Sequence, residues 1–278
     1  MIRGAKYVNA VLETTTLLMN KLRALLNILL QYVNFDSLEE AYKVVFELFY
    51  QASRHKPFLL KNLHKDARLS GMLQYAEELL SDVYEVISER NIDVLELARE
   101  MFRRASAELA EASKSASKYV IVCDGLSIID ALYIACRLKR EGAELFIAPI
   151  INPGGATETY KFILEPHSYI QNADLTLNDI ARRIAEKMRA KHYIVFRDYD
   201  ESIHQLKSVR ASDIIGTMYT LTSKLYSKIT QLKGGFGSTI IMLSDHGYDI
   251  VEKEGGLYDV NHSWSPRSLS VIASLLIV

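Results

Sequence analysis

The hydrophobic pattern of the chain changes character near Lys118. Before that point apolar residues recur at helical spacing. Val11, Leu17, Leu18, Leu22, Leu25, Leu26, Ile28, Leu29 and Val33 form one stripe, which predicts a long amphipathic helix over much of residues 5–33. Ser37 and Glu40 have the spacing of a capping box and open a second helix through Ala41, Val45, Phe46, Phe49 and Tyr50, which Pro57 closes or restarts. A third pattern spans residues 70–90 with Asn91 as its left-handed cap. A fourth starts at Ile92 and Asp93 and carries Leu95, Leu97, Ala98, Met101 and Phe102. Residues 105–117, rich in Ala, Ser, Glu and Lys, are its tail or a short linker. Residues 1–117 are thus expected to form a helical bundle domain.

From residue 118 the period alternates between two and 3.6. Tyr119 to Cys123 is a β-rich run ending in Asp124-Gly125, followed by a helical pattern through Ile128, Leu132, Ala135 and Leu138 that stops at Gly142. Residues 145–150 predict the next strand, 175–190 a helix, 192–196 a strand, 209–233 a long helix, and 239–243 a strand. Residues 268–278 add a last one. Strands alternating with helices predict an α/β domain over residues 118–278, a mostly parallel sheet flanked by helices.

Composition narrows the class without naming a chemistry. A chain of 278 residues that is 49% hydrophobic and 24% charged has material for a sizeable core, and its net charge of −1 provides no bulk basic field for nucleic acid. Two cysteines, Cys123 in a predicted strand and Cys136 in a predicted helix, indicate neither a disulfide framework nor a zinc knuckle. With the apolar run at residues 22–33 too short to cross a bilayer, a cytoplasmic protein with no membrane partner is expected. Arg54, His55, Lys56, Lys61, His64, Lys65 and Arg68 form a basic stretch, read as a solvated face balanced by acidic neighbours.

The chemistry lies at the strand ends. The run Thr239 to Tyr248 is a buried strand ending in Ser-Asp-His-Gly, and the carboxyl ends of parallel strands are where open α/β sheets bind ligands. Asp124 follows the first strand, Asp200 and His204 the third, Asp245 and His246 the fourth, and His262 lies in the glycine-bearing loop beyond. Asp200 and His204 are four apart, which puts both on one face of a helical turn. A single carboxylate at such a place is commonly a helix N-cap. Six ligand-type groups at one sheet edge point instead to two trios suited to two divalent ions, zinc or manganese, about 4 Å apart.

The Asp-Gly after the first strand, the Asp-x-x-x-His, the Ser-Asp-His-Gly and the later His resemble the metal-ligand series of the alkaline phosphatase superfamily, its PglZ branch most of all. The resemblance covers residues 118–278. It implies a threonine or serine nucleophile in the loop after the second strand; there Asn152 to Lys161 is similar to the family's segment, with Thr157 as the nucleophile. It implies that Asp124, Asp245 and His246 hold one ion beside Thr157, and that Asp200, His204 and His262 hold the other. Fold and activity follow by the same resemblance: an alkaline-phosphatase-like sheet and a phosphohydrolase, a phosphodiesterase for a nucleotide or oligonucleotide-type substrate. A phosphomonoesterase, a phosphotransferase, or a metal- and phosphate-binding scaffold are the alternatives. Lys161 and Arg267, with Lys253, are the basic residues available to a phosphate. The helical domain is expected to shape access, or to serve a protein partner or self-association. His192 is read as structural, His167 as a loop residue after Pro166, and Trp264 as a buried anchor.

Overall fold

A computed structural model describes residues 4–32, 37–39, 41, 85, 92–113, 117–152, 154–164, 176–233, 238–262, 272, 273 and 275–277. The first part of the chain contributes helices α1 (Ala5–Tyr32) and α2 (Val94–Ala112). Asp93 caps α2 by accepting from the Leu95 amide at 2.9 Å, which satisfies one of the orphan donors of its first turn. The two helices bury Leu18, Leu22, Leu25 and Leu26 with Leu97, Met101 and Phe102. Arg104 reaches across to the Thr16 hydroxyl (2.5 Å) and the Leu12 carbonyl (3.1 Å), and Arg23 pairs with Glu108 at 2.5 Å. The expected helices over 41–57 and 70–90, the Glu40 half of the capping box and the basic stretch at 54–68 lie outside the described residues.

The remainder is α/β, as the alternating pattern predicts. Its order is β1 (Ser117–Cys123), α3 (Ile128–Arg140), β2 (Leu145–Phe146), β3 (Ile150–Ile151), α4 (Thr157–Leu164), α5 (Leu177–Lys187), β4 (His192–Phe196), α6 (Asp198–Ile203) and α7 (Ala211–Lys233). Then come β5 (Ser238–Ser244), β6 (Asp249–Glu252), β7 (Tyr258–Asn261), β8 (Ile272–Ala273) and β9 (Leu275–Ile277). The main sheet has the order β2-β9-β5-β1-β4. Strands β4, β1 and β5 are parallel, while β9 runs antiparallel to both β5 and β2. Val120, Ile121, Val122 and Cys123 are wholly buried, as expected of a central parallel strand covered on both sides. The strand expected over 145–150 is instead two short pieces separated at Ala148 and Pro149, since proline has no N–H to give a ladder. β4 lies at one edge of the sheet, with His192 and Tyr193 exposed and the His192 ring stacked on Tyr119 at 5.2 Å.

Register positions the functional end of the sheet. Cys123 is level with Phe196 on one side and Ser244 on the other, so the chain leaves all three strands at the same height. Residues from α1, α2 and the sheet belong to one continuous buried cluster, which crosses the boundary expected at 118. Cys123 and Cys136 are both buried and free, and burial pushes the Cys136 thiol up to about 11. Among the described residues no helix is long and apolar enough to cross a membrane.

Candidate metal centre

Three carboxylates are locked to one another by backbone hydrogen bonds before any side chain is considered. The Asp124 amide donates to Phe196 O (2.9 Å), the Asp200 amide to Asp124 O (3.1 Å), and the Asp245 amide to Cys123 O (3.3 Å). Gly125, at φ +82°, makes the turn between the first two; a Cβ there would lie 3.0 Å from Ile203 Cδ1 and 3.2 Å from the Asp200 amide nitrogen. Its N–H donates to Asp245 Oδ1 at 3.3 Å, an oxygen that also accepts from the His246 amide at 2.9 Å.

Around these carboxylates the imidazoles converge. His246 Nε2 lies 3.3 Å from Asp124 Oδ1 and 3.9 Å from both Asp200 Oδ1 and Asp245 Oδ2. His262 Nε2 is 3.4 Å from Asp200 Oδ1, and His204 Nε2 is 3.3 Å from Asp200 Oδ2. The His262 ring sits 4.4 Å from that of His246 and 5.2 Å from that of His204. Two groups suited to holding an ion result, Asp124–Asp200–His246 and Asp200–His204–His262, each with its ligand atoms within 4.8 Å of one another. Asp200 is common to both.

The first trio differs from the one implied by resemblance, in which Asp245 took the place that Asp200 has here. Asp245 is wholly buried, and its Oδ2 accepts the Thr157 hydroxyl at 2.6 Å, while its Oδ1 is taken by the two amides. It stands next to the ligand cluster and links it to Thr157. Burial pushes its carboxyl up; the His246 charge opposes that shift, and the Asp124 carboxylate adds to it.

His246 is only 1% exposed. Burial disfavours its charged form, but the Asp245 and Asp124 carboxylates outweigh it and raise the imidazole to about 9. Its Nδ1 faces the Gly247 carbonyl at 2.9 Å, an acceptor only, so Nδ1 carries the hydrogen and Nε2 is turned to the carboxylates. Asp200 moves the other way. Burial raises it, yet the hydrogen bond from His262 and the charges of His204 and His246 together hold it below the usual carboxylate range.

The segment bearing Thr157 is held by Asn152. This fully buried amide donates to Ala156 O (2.8 Å) and to Asp245 O (2.7 Å), while its Oδ1 accepts from the Gly154 amide (3.2 Å). A Cβ at Gly154 would lie 1.7 Å from Thr159 Oγ1, so glycine is required there. Thr157 is half-buried and opens α4; Lys161 follows one turn later on the same helical face. Thr159 points elsewhere, buried and with its hydroxyl unpartnered.

The structure therefore brings together Asp124, Asp200, His204, Asp245, His246, His262 and Thr157. Lys253 is instead paired with Asp259 at 3.1 Å beside the β6–β7 hairpin, and Arg267, His167 and Trp264 lie outside the described residues. Asn152 was not singled out by sequence reasoning, although the Asn-Pro-Gly-Gly run around it was the available signal. Comparison with known protein families and with curated proteins finds no match to this chain.

Proposed function

We propose that the chain is a two-metal-dependent phosphohydrolase of the alkaline phosphatase type, PglZ branch, with Thr157 as its nucleophile. The observation that carries this reading is the joint one: two three-ligand groups share Asp200 at the carboxyl ends of parallel strands, and a threonine hydroxyl lies 2.6 Å from the adjoining Asp245. Diester preference and a nucleotide or oligonucleotide-type substrate rest on the resemblance of the motif series.

The donor set fits zinc or manganese. It combines imidazole nitrogen with carboxylate oxygen, and the buried His246 already has its tautomer fixed for ligation through Nε2. Charge supports the same fit. In the empty site Asp124, Asp200 and Asp245 (−3) outweigh the protonated His246 (+1) and repel a phosphate ester; with that imidazole neutral as a ligand, two divalent ions add +4 to −3, for a net +1. Bound there, the ions would supply Lewis-acid stabilisation of the charge that develops on the phosphoryl oxygens and on the attacking and leaving oxygens.

The chain's own residues do the rest. Asn152 fixes the loop, Asp245 orients the Thr157 hydroxyl through a charge-assisted hydrogen bond, and the first turn of α4 presents backbone N–H groups where an anion is favoured. Lys161 is the near cation on that face. Thr157 Oγ1, passing its proton to Asp245 Oδ2, then forms the bond to phosphorus as the ester oxygen leaves with the bonding electron pair and is protonated by solvent. Water later cleaves the threonine–phosphorus bond, releasing a phosphate monoester from a diester substrate and restoring the hydroxyl.

The test counts zinc per chain by elemental analysis and assays chromogenic phosphate diesters and monoesters with the zinc-loaded protein. Two ions and diester turnover are expected. Two ions without turnover of either ester would make the chain a binding scaffold, and no bound metal would end the reading.

A further inference from the structure

Beneath the ligand cluster lies a buried polar network that the proposed chemistry does not use. Its centre is Asp130, in the first turn of α3 and wholly buried. The Ser127 hydroxyl donates to Asp130 Oδ2 at 2.9 Å, the Tyr248 hydroxyl to the same oxygen at 2.8 Å, and the Thr222 hydroxyl to Oδ1 at 3.2 Å. Thr222 has only one hydrogen, which goes to Asp130, so in the 2.8 Å contact between Thr222 and Tyr199 it is Tyr199 that donates. Tyr199 and Tyr248 are themselves wholly buried.

The residues bonded to this carboxylate are set close to the ligands in the chain. Ser127 is three residues after Asp124, Tyr248 is two after His246, and Tyr199 immediately precedes Asp200. All three ligand-bearing segments, the loops after β1 and β5 and helix α6, are thus tied to one carboxylate, two directly and the third through Thr222 of α7. Helix capping alone does not account for this. In α5 the Thr176–Asp179 capping box satisfies the same kind of helix start at the surface, with Asp179 half-exposed and also paired with the neighbouring Arg182. Asp130 has the capping contact to Ser127 but is buried and takes hydroxyls from two other elements. Desolvating a carboxylate is costly, and the donors offset that cost only while every loop keeps its place.

We propose that Asp130 is a positioning residue that holds the segments bearing Asp124, Asp200 and His246 in mutual register, so that the first metal group is assembled before an ion arrives. The inference rests on the metal reading of the site for its consequence, but the network and its coupling can be tested without a metal.

Two measurements on the full chain decide it. In the metal-free protein, Thr222→Val should shift the amide resonances of Gly125 and Gly247, which lie on segments to which Thr222 makes no hydrogen bond among the described residues, as well as that of Asp200. A change confined to Asp200 overturns the proposal. With Co(II) as the probe, Asp130→Asn and Tyr248→Phe should each weaken binding about 10-fold and alter the visible absorption bands that report ligand geometry. Tyr226→Phe, which breaks the bond from Tyr226 to Glu141 away from the site, should lower thermal stability and leave both the affinity and the bands unchanged. Unaltered cobalt affinity and bands in Asp130→Asn and Tyr248→Phe, with only the melting temperature lowered, would make Asp130 a structural group and overturn the proposal. If Asp130→Asn does not fold, Tyr248→Phe and Thr222→Val carry the test in its place. Wild-type protein that binds no Co(II) would refute the metal reading, and the amide measurement would still decide the coupling.

Discussion

The two ligand groups share Asp200 but live in different surroundings. In the Asp124–Asp200–His246 group the imidazole side chain is 1% exposed and Asp124 15%; in the Asp200–His204–His262 group the imidazoles are 59% and 22% exposed. The Asp124 amide is bonded to Phe196 of the adjacent strand, the Asp200 amide to Asp124 O, and the His246 amide to Asp245 Oδ1, so little freedom remains to be lost when an ion binds. His204 caps the end of the short helix α6 and faces solvent, held by its contacts with Asp200 and the edge of the His262 ring, so more of its freedom is lost when an ion binds. The buried group should therefore fill first and hold its ion more tightly, and the open group should exchange.

Asp200→Ala should erase that contrast. It removes a ligand from both groups, so elemental analysis should find neither ion and turnover should fall to background. Retention of one ion would show that Asp200 is not shared. Thr157→Ala separates chemistry from ligation: a loss on the order of 10,000-fold in kcat is expected with both ions still bound. If metal is lost as well, the hydroxyl is a ligand first. His204→Ala should strip only the open group, lowering occupancy to one ion, with partial rescue of activity by excess zinc. Loss of both ions at once would collapse the distinction between buried and open groups.

The buried group also has a pH signature in the metal-free protein. His246 is raised in the folded state from its ordinary 6.5 to about 9. Its stabilisation is therefore fully present below pH 6.5 and is lost as the pH climbs through 9. Denaturant midpoints should decline over that window without metal, and the slope should flatten with zinc bound, since a ligating imidazole is neutral throughout. A flat metal-free profile would mean that the carboxylates around His246 do not hold its proton. The smallest effect is expected at Thr159→Ala, which removes a buried hydroxyl that has no partner among the described residues and presses no methyl on Gly154. It should change stability by no more than about 1 kcal/mol and leave turnover within a few-fold of wild type. A dead Thr159→Ala would move the reacting hydroxyl from Thr157 to Thr159.

The strand ends were legible in the sequence because the apolar run and the ligand that follows it are contiguous, as in Ile240 to His246. The i, i+4 pair Asp200 and His204 was legible for the same local reason, and it does fall on one short helix. Long-range grouping was not. Whether Asp200 or Asp245 completes the trio with Asp124 and His246 depends on which carboxylate Thr157 and the Gly125 amide occupy, and no periodicity encodes a contact across 88 residues. Asp130 was hidden within an apolar helical stretch, Ile128-Ile129-Asp130-Ala131-Leu132, whose helical pattern drew attention to its apolar positions. Its Ser127 spacing was the available clue. The β6–β7 hairpin read as a loop because Gly255 and Gly256 dominate its tip, while its strands are only four residues each.

The position of β4 has a consequence for handling the protein in solution. Its five residues, His-Tyr-Ile-Val-Phe, are uncharged and β-prone, and among the described residues they form an edge of the main sheet. An edge of that composition is a template for strand addition by a second copy. Exposed Lys191 and Arg197 bracket it, and their like charges oppose an in-register approach of two such edges. That protection is electrostatic, so it should weaken as ionic strength rises and the Debye length shortens. High salt is therefore the condition under which this protein should first self-associate, and light scattering against salt concentration would show the onset.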